Sequence, residues 1–229
     1  MMQRLLSIPR MLASAAFSFL AKRKLPPSLP ANQVWPYGQA IVVPGTTVLC
    51  NSFYLVLYDE KNMRTILSAE VTQPPHDHVE RDDAFCSDPR LKRSPTPDDY
   101  TDSGYDRGHL TPAADAGNEV QMRDTFLITN VVPQAPKLNR VLWKELEVMV
   151  RGMETEYVVT GAIYKDDCKR IGDHGIPVPD KLYKIVFLKD KHIECWITEN
   201  TDDAIPKRIE LHDLQIMLDF KFPPEFFPT

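Results

Sequence analysis

Gly104-Tyr105-Asp106-Arg107-Gly108-His109-Leu110-Thr111-Pro112 sets a carboxylate, an arginine and a histidine within four residues and then breaks into a turn. Thirty residues past His109, Asn139-Arg140-Val141-Leu142-Trp143-Lys144-Glu145-Leu146-Glu147 reads as the opening of a helix. A histidine titrates near pH 6.5, so at neutral pH most of it can accept a proton from an attacking water. Asn139 offers a neutral carboxamide oxygen, which suits Mg²⁺, a hard cation that usually keeps several of its waters. A neutral ligand leaves the ion's double charge largely uncancelled for a phosphate and for a departing alkoxide. Asn139, Trp143, Glu147 and Arg151 recur every four residues and form one stripe of about 18 Å along a helix face. On that stripe Trp143 is expected to anchor in the core, Glu147 to hold one of the ion's waters, and Arg151 to grip a phosphate oxygen. The bland alternatives stay open here. Glu147 can be an exposed carboxylate paired with Arg151 at i+4, Arg107 can pair with a core carboxylate, and Asp106 can simply orient the turn.

Outward from these segments the chain reads as hairpins, a helix and more hairpins. Residues 52–59 and 64–71 are apolar runs separated by Asp59-Glu60-Lys61-Asn62, which predicts a β-hairpin. Residues 72–101 are polar and proline-punctuated, as a long surface arm would be. Residues 125–132 are β-branched and apolar, so a strand deep in the core is expected there, ended by Pro133. A helix from Asn139 to about Met153 follows, then a strand over 157–164, a hairpin over 184–198 and a short helix over 211–218. This order predicts an α+β fold with a central antiparallel sheet flanked by helices.

The 229 residues are 43% hydrophobic and 26% charged, ordinary values for a globular chain that can bury a full core. The net charge of −5 is unlike that of a protein coated for nucleic acid, so any phosphate-binding surface must be a local patch. Before Asp59 there is no acid, while Arg4, Arg10, Lys22, Arg23 and Lys24 fall in the first 24 residues. Residues 1–24 therefore read as a mitochondrial presequence, with a secretory signal peptide as the rival because 11–21 is an apolar run. That run is too short to span a membrane. Removing residues 1–24 deepens the net charge from −5 to −10. Residues 25–49, with Pro26, Pro27, Pro30 and Pro36, read as a linker and N-terminal arm, and 50–229 as one domain. Cys50, Cys86, Cys168 and Cys195 show no short pairing, so free buried thiols are expected.

Asp106-Arg107-Gly108-His109 and the run Asn139, Trp143, Leu146-Glu147 resemble the D-R-G-H and N-x-x-x-W-x-x-L-E motifs of the DNA/RNA non-specific endonuclease family. Thr129-Asn130-Val131-Val132-Pro133-Gln134 is similar to the family's S-N-x-x-P-Q segment, and Arg81 to an upstream phosphate-binding arginine. The resemblance covers roughly residues 50–222. It implies a ββα-metal (His-Me finger) active site with His109 as general base, Asn139 as ligand of a single Mg²⁺ for which Mn²⁺ can substitute, and supporting roles for Arg107, Asn130 and Glu147. Arg81, Arg107 and Arg151 would bind substrate. It further implies hydrolysis of DNA and RNA to 5′-phosphate ends through contacts mainly with the phosphate backbone, a homodimer without a membrane span, and residence in the mitochondrial intermembrane space with a part in apoptotic DNA degradation. Thr111-Pro112 and the short stretch 168–179 depart from the mitochondrial members, which leaves subfamily and substrate preference open. An exonuclease-leaning mitochondrial relative, a catalytically silent binder of nucleic acid or protein, and a secreted nuclease are the competing readings.

Overall fold

The computed structural model describes residues 43–74, 76–81, 83–218, 220 and 222. The expected presequence, most of the expected linker and most of the proline- and phenylalanine-rich tail lie outside the described residues. Seven strands form one antiparallel sheet: β1 (Thr47–Cys50), β2 (Tyr54–Asp59), β3 (Arg64–Val71), β6 (Thr155–Ile163), β9 (Lys181–Leu188), β10 (Ile193–Glu199) and β11 (Lys207–Arg208), in that spatial order. The predicted hairpin is the β2–β3 pair, registered from Tyr54 opposite Glu70 to Asp59 opposite Arg64. Its turn is held by the Asp59 carboxylate, which accepts from the Asn62 backbone and amide at 3.1 and 2.6 Å and from Arg64 Nε at 3.0 Å.

Between neighbours β3 and β6 the chain leaves the sheet for more than eighty residues, and the candidate site is built in that excursion. It carries β4 (Asp106–His109), α1 (Glu119–Thr125), β5 (Val131–Gln134), a π turn (Leu138–Trp143) and α2 (Lys144–Arg151). The later β6–β9 connection carries a small hairpin, β7 (Arg170–Ile171) and β8 (Ile176–Pro177). Period-two alternation sends Leu67, Ala69, Tyr157, Val159, Tyr183, Ile185 and Phe187 to one face, where they meet Leu214 of α3 (Leu211–Met217). The other face presents Val158, Ala162, Leu182, Val186 and Trp196, covered by Trp143, Leu146 and Val150. With both faces covered, β2 is buried at every position and shows no polar alternation.

Several expectations are corrected. Residues 125–132 are buried as predicted, but they are no central strand. Thr125 ends α1, Ile128–Asn130 forms a 3₁₀ turn, and the strand that follows pairs only with β4. Pro133 lies inside β5, opposite Arg107, which a two-stranded ribbon permits because one side of each strand needs no ladder bond. The helix at Asn139 starts as a π turn rather than a regular α-turn, a local widening frequent at functional sites. Cys50, Cys168 and Cys195 are free thiols, as expected, yet of the four cysteines only Cys195 is buried and the others are half-buried.

β4 and β5 approach closely because of Gly108. A Cβ there would lie 2.7 Å from Cβ of the fully buried Gln134. Gly108→Ala is therefore expected to lower stability by about 1–3 kcal/mol, read as a shifted urea midpoint. An unshifted midpoint would mean that the ribbon opens at no cost.

Candidate active site

His109 closes β4 and is half-buried, with its ring packed against two aromatic rings, Phe85 at 5.2 Å and Phe126 at 4.9 Å edge-on, which also meet each other at 4.8 Å. The cage is stitched together by the arm that carries Phe85. Cys86 N–H donates to the Phe126 carbonyl at 3.1 Å, and Ile128 N–H donates to the Cys86 carbonyl at 2.9 Å. Nε2 of His109 is buried without a hydrogen-bond partner. Burial and then the positive charge of Arg81 push the imidazole down to about 3, with Asp83 opposing them. The ring is thus neutral throughout the working range, the form a general base must have before it takes a proton.

At the other end of β4, Asp106 accepts from Asn139 Nδ2 at 2.9 Å and from Arg140 Nε and Nη2 at 2.7 and 2.6 Å. Burial works to raise this carboxyl, but the bonds from Arg140 and Asn139 prevail and hold it below the usual range. A carboxylate only accepts, so the NH₂ of Asn139 must face Asp106 and Oδ1 must turn away from it. That exposed-side oxygen suits a hard cation. Among the described residues no three His, Cys, Asp or Glu side chains cluster so as to hold a metal ion. An ion here would rest on few protein ligands, with water and phosphate completing its shell, and this fits Mg²⁺.

Trp143 is buried in the core, as its place on the helical stripe predicted, with the Lys184 ammonium 5.5 Å from its ring centroid. Glu147, half-buried one turn further on, has its carboxyl pushed up to about 7 by burial; Lys184 and Arg151 pull it down and Asp115 adds to the rise. Beneath lie Lys184 and Glu70, both buried on the site-facing side of the sheet. Lys184 donates to Thr160 Oγ1 at 2.5 Å, and burial drives the Glu70 carboxyl well up. Arg151 does not pair with Glu147; its Nε contacts Asp115 Oδ1 at 2.5 Å.

A carboxyl held protonated in the folded state adds stability that is complete below about pH 4.5 and lost as the pH rises through about 7. His109 has the opposite sign, since the unfolded chain takes its proton near 6.5 and the folded chain only near 3. The two oppose each other in weakly acidic solution, so the informative comparison is with a variant. Without divalent metal, the stability of the wild type relative to Glu147→Gln is expected to fall by roughly 1–2 kcal/mol between pH 4.5 and 7.5, after discounting for partial exposure. Urea unfolding at several pH values measures it, and a flat difference would place Glu147 in its ionised form throughout.

The remaining predicted residues divide. Arg81, half-exposed, lies over the Phe126 ring at 5.2 Å and pairs with Asp83, and its charge acts on both His109 and Glu147. Arg107 donates from Nη2 to the Pro97 carbonyl at 2.8 Å and lies 5.5 Å from the Phe85 ring centroid, with no carboxylate bound to it among the described residues. Asn130 is fully buried and turned to the backbone: Oδ1 accepts from Thr111 N–H at 3.0 Å, while Nδ2 donates to the Thr111 and Thr125 carbonyls at 2.9 and 3.0 Å. It clasps the segment behind His109 rather than facing a substrate. Sequence reasoning missed Phe85, Phe126, Asp115 and the Asp106–Arg140 pair; the Asp106 carboxylate binds Asn139 instead of merely shaping a turn.

A two-stranded ribbon ending in a histidine and followed by a helix that presents an asparagine is the ββα-metal arrangement. The sequence profile of the DNA/RNA non-specific endonuclease family matches residues 40–219, and the chain belongs to that family. It is 47% identical over 148 residues to the mitochondrial nuclease of Saccharomyces cerevisiae, covering 53% of this chain and 44% of that one. It is 30% identical over 179 residues to human mitochondrial endonuclease G, covering 67% and 60%, and 30% identical over 169 residues to the mitochondrial nuclease EXOG of Xenopus laevis, covering 62% and 47%. The alignments thus span about half the length of these curated relatives. A crystal structure of an EndoG/EndoGI complex, described as showing the mechanism of EndoG inhibition, superposes with a TM-score of 0.69 at 24% identity, covering 81% of this chain and 88% of that one, and so shares the fold.

Proposed function

We propose that this chain is a metal-dependent, sugar-non-specific endonuclease that hydrolyses phosphodiesters of DNA and RNA. The observation that carries it is the pairing, on one short strand, of a neutral histidine, its Nε2 without a hydrogen-bond partner, and a carboxylate that orients an asparagine oxygen. The His109 imidazole takes the proton of the attacking water. Asn139 Oδ1 would hold Mg²⁺, or Mn²⁺ in its place, and Glu147 would support the ion's water shell. When bound, the ion supplies positive charge to the phosphate and to the leaving 3′-oxygen. Arg81 and Arg107 hold phosphate oxygens beside the aromatic cage, and Arg151, braced by Asp115, does so from α2. Contacts of this kind reach phosphate rather than base edges, so sequence preference is weak and both sugars are accepted.

A mitochondrial location is supported by the names of the relatives; the intermembrane space, a homodimer and a part in apoptotic DNA degradation join the same reading through the family resemblance alone. No helix of the described residues is long and apolar enough to cross a membrane. The test is cleavage of circular RNA beside circular DNA, substrates without ends, under Mg²⁺. Cutting of both, with products that a ligase can rejoin through 5′-phosphates, is expected. Attack on linear forms alone would replace the endonuclease reading with an exonuclease.

A further inference from the structure

Arg140, which no catalytic reading of the motifs uses, is bound to the candidate metal ligand through one intermediate carboxylate. It is two-thirds exposed, follows Asn139 directly and projects back across 34 residues of sequence to Asp106. Its contact is the two-toothed kind: Nε meets Oδ2 at 2.7 Å and Nη2 meets Oδ1 at 2.6 Å. Oδ2 of Asp106 also receives the Asn139 amide at 2.9 Å, so this one oxygen serves both neighbours. We infer that Arg140 is a positioning residue, which fixes the Asp106 carboxylate so that Asn139 presents Oδ1, and not its NH₂, to a divalent cation. The inference rests on the proposed metal-dependent reading of this site.

The physical case has three parts. An asparagine carboxamide has two nearly isosteric faces, and only its hydrogen-bond partners decide which one points to a ligand. Here the partner is a carboxylate, which can accept but not donate, so the choice depends on that carboxylate staying in place. Asp106 is itself an oxygen ligand of the kind hard cations prefer, and left mobile it could turn from Asn139 towards the ion. The planar guanidinium occupies both carboxylate oxygens in a fixed fork, which a lysine's point charge cannot reproduce. The π turn gives this arrangement its place in the chain. Leu138–Trp143 is wound wider than an α-helix, and Asn139 and Arg140, adjacent in it, both reach the same carboxylate.

The experiment is Mn²⁺ binding, followed by loss of the free-ion electron paramagnetic resonance signal, for the full chain and for Arg140→Gln and Arg140→Lys, with steady-state cleavage in parallel. Arg140→Gln is expected to weaken Mn²⁺ binding about tenfold, as loss of an outer-shell partner typically does. The metal concentration for half-maximal cleavage should rise in step, with KM for DNA unchanged. Arg140→Lys should recover only part of the loss. Asp106→Asn combined with Arg140→Gln should weaken binding no further than Asp106→Asn alone, because both changes break one linkage. Unchanged Mn²⁺ binding in Arg140→Gln overturns the proposal, and a raised KM for DNA with unchanged binding overturns it in favour of a direct phosphate contact. Wild-type protein that binds no Mn²⁺ overturns the metal reading itself, and that failure is visible before any variant is compared.

Discussion

His109→Ala is expected to lower kcat for cleavage of a short duplex about 10³-fold, within the usual range for loss of a general base, while KM changes little. The ring binds no substrate phosphate in this account. It enters the reaction only when the attacking water loses a proton. Because burial and Arg81 keep the imidazole neutral to about pH 3, the wild-type rate should show no acid limb from this group near 6.5. The alanine leaves a hollow of imidazole size beside the Phe85–Phe126 pair, whose rings both touched the lost imidazole. Added imidazole should therefore restore part of the lost rate, and only in its neutral form, above about pH 7. A variant that keeps most of its kcat would remove His109 from the chemistry.

Asn139→Asp should be nearly as damaging, about 10²–10³-fold in kcat/KM, although it looks like an improvement for a cation site. The new carboxylate faces Asp106 at the position where an N–H now donates at 2.9 Å, so a favourable bond becomes a repulsion between like charges. An anionic ligand also cancels part of the ion's charge before it reaches the phosphate. Asn139→Ala should lose about the same factor by a different route, since the oxygen is gone while Asp106 keeps Arg140. Metal titration separates them: the aspartate variant is expected to bind Mn²⁺ without cleaving, and the alanine variant to bind it weakly. Full activity in the alanine variant would exclude Asn139 Oδ1 as the ion's protein ligand, and full activity in the aspartate variant would overturn the requirement for a neutral one.

Much of this was legible where chemistry is local. The β2–β3 hairpin follows from two apolar runs and an Asp-Glu-Lys-Asn turn, and the structure holds it with the Asp59 side chain that the turn supplies. Trp143 was placed in the core by its spacing, and it is there. The misreadings have physical causes. Residues 125–132 look like a core strand because they are buried and β-branched, but burial here comes from packing beneath the site, and the chain satisfies its backbone with a 3₁₀ turn and Asn130. Lys184 drew no reading beyond its place in a hairpin, and its burial on the face covered by α2 depends on packing that its neighbours Tyr183 and Ile185 do not report. The Asp106–Arg140 pair joins residues 34 apart, and no periodicity reports such a contact.

The most direct test is cleavage of closed circular plasmid DNA by the wild-type chain and by His109→Ala, each with Mg²⁺ and with Mg²⁺ plus EDTA. The account predicts nicked and then linear product from the wild type with Mg²⁺ alone, and an intact circle in the other three reactions. A circle left intact by fresh wild-type protein under Mg²⁺ or Mn²⁺, or cut equally well without His109, would contradict it.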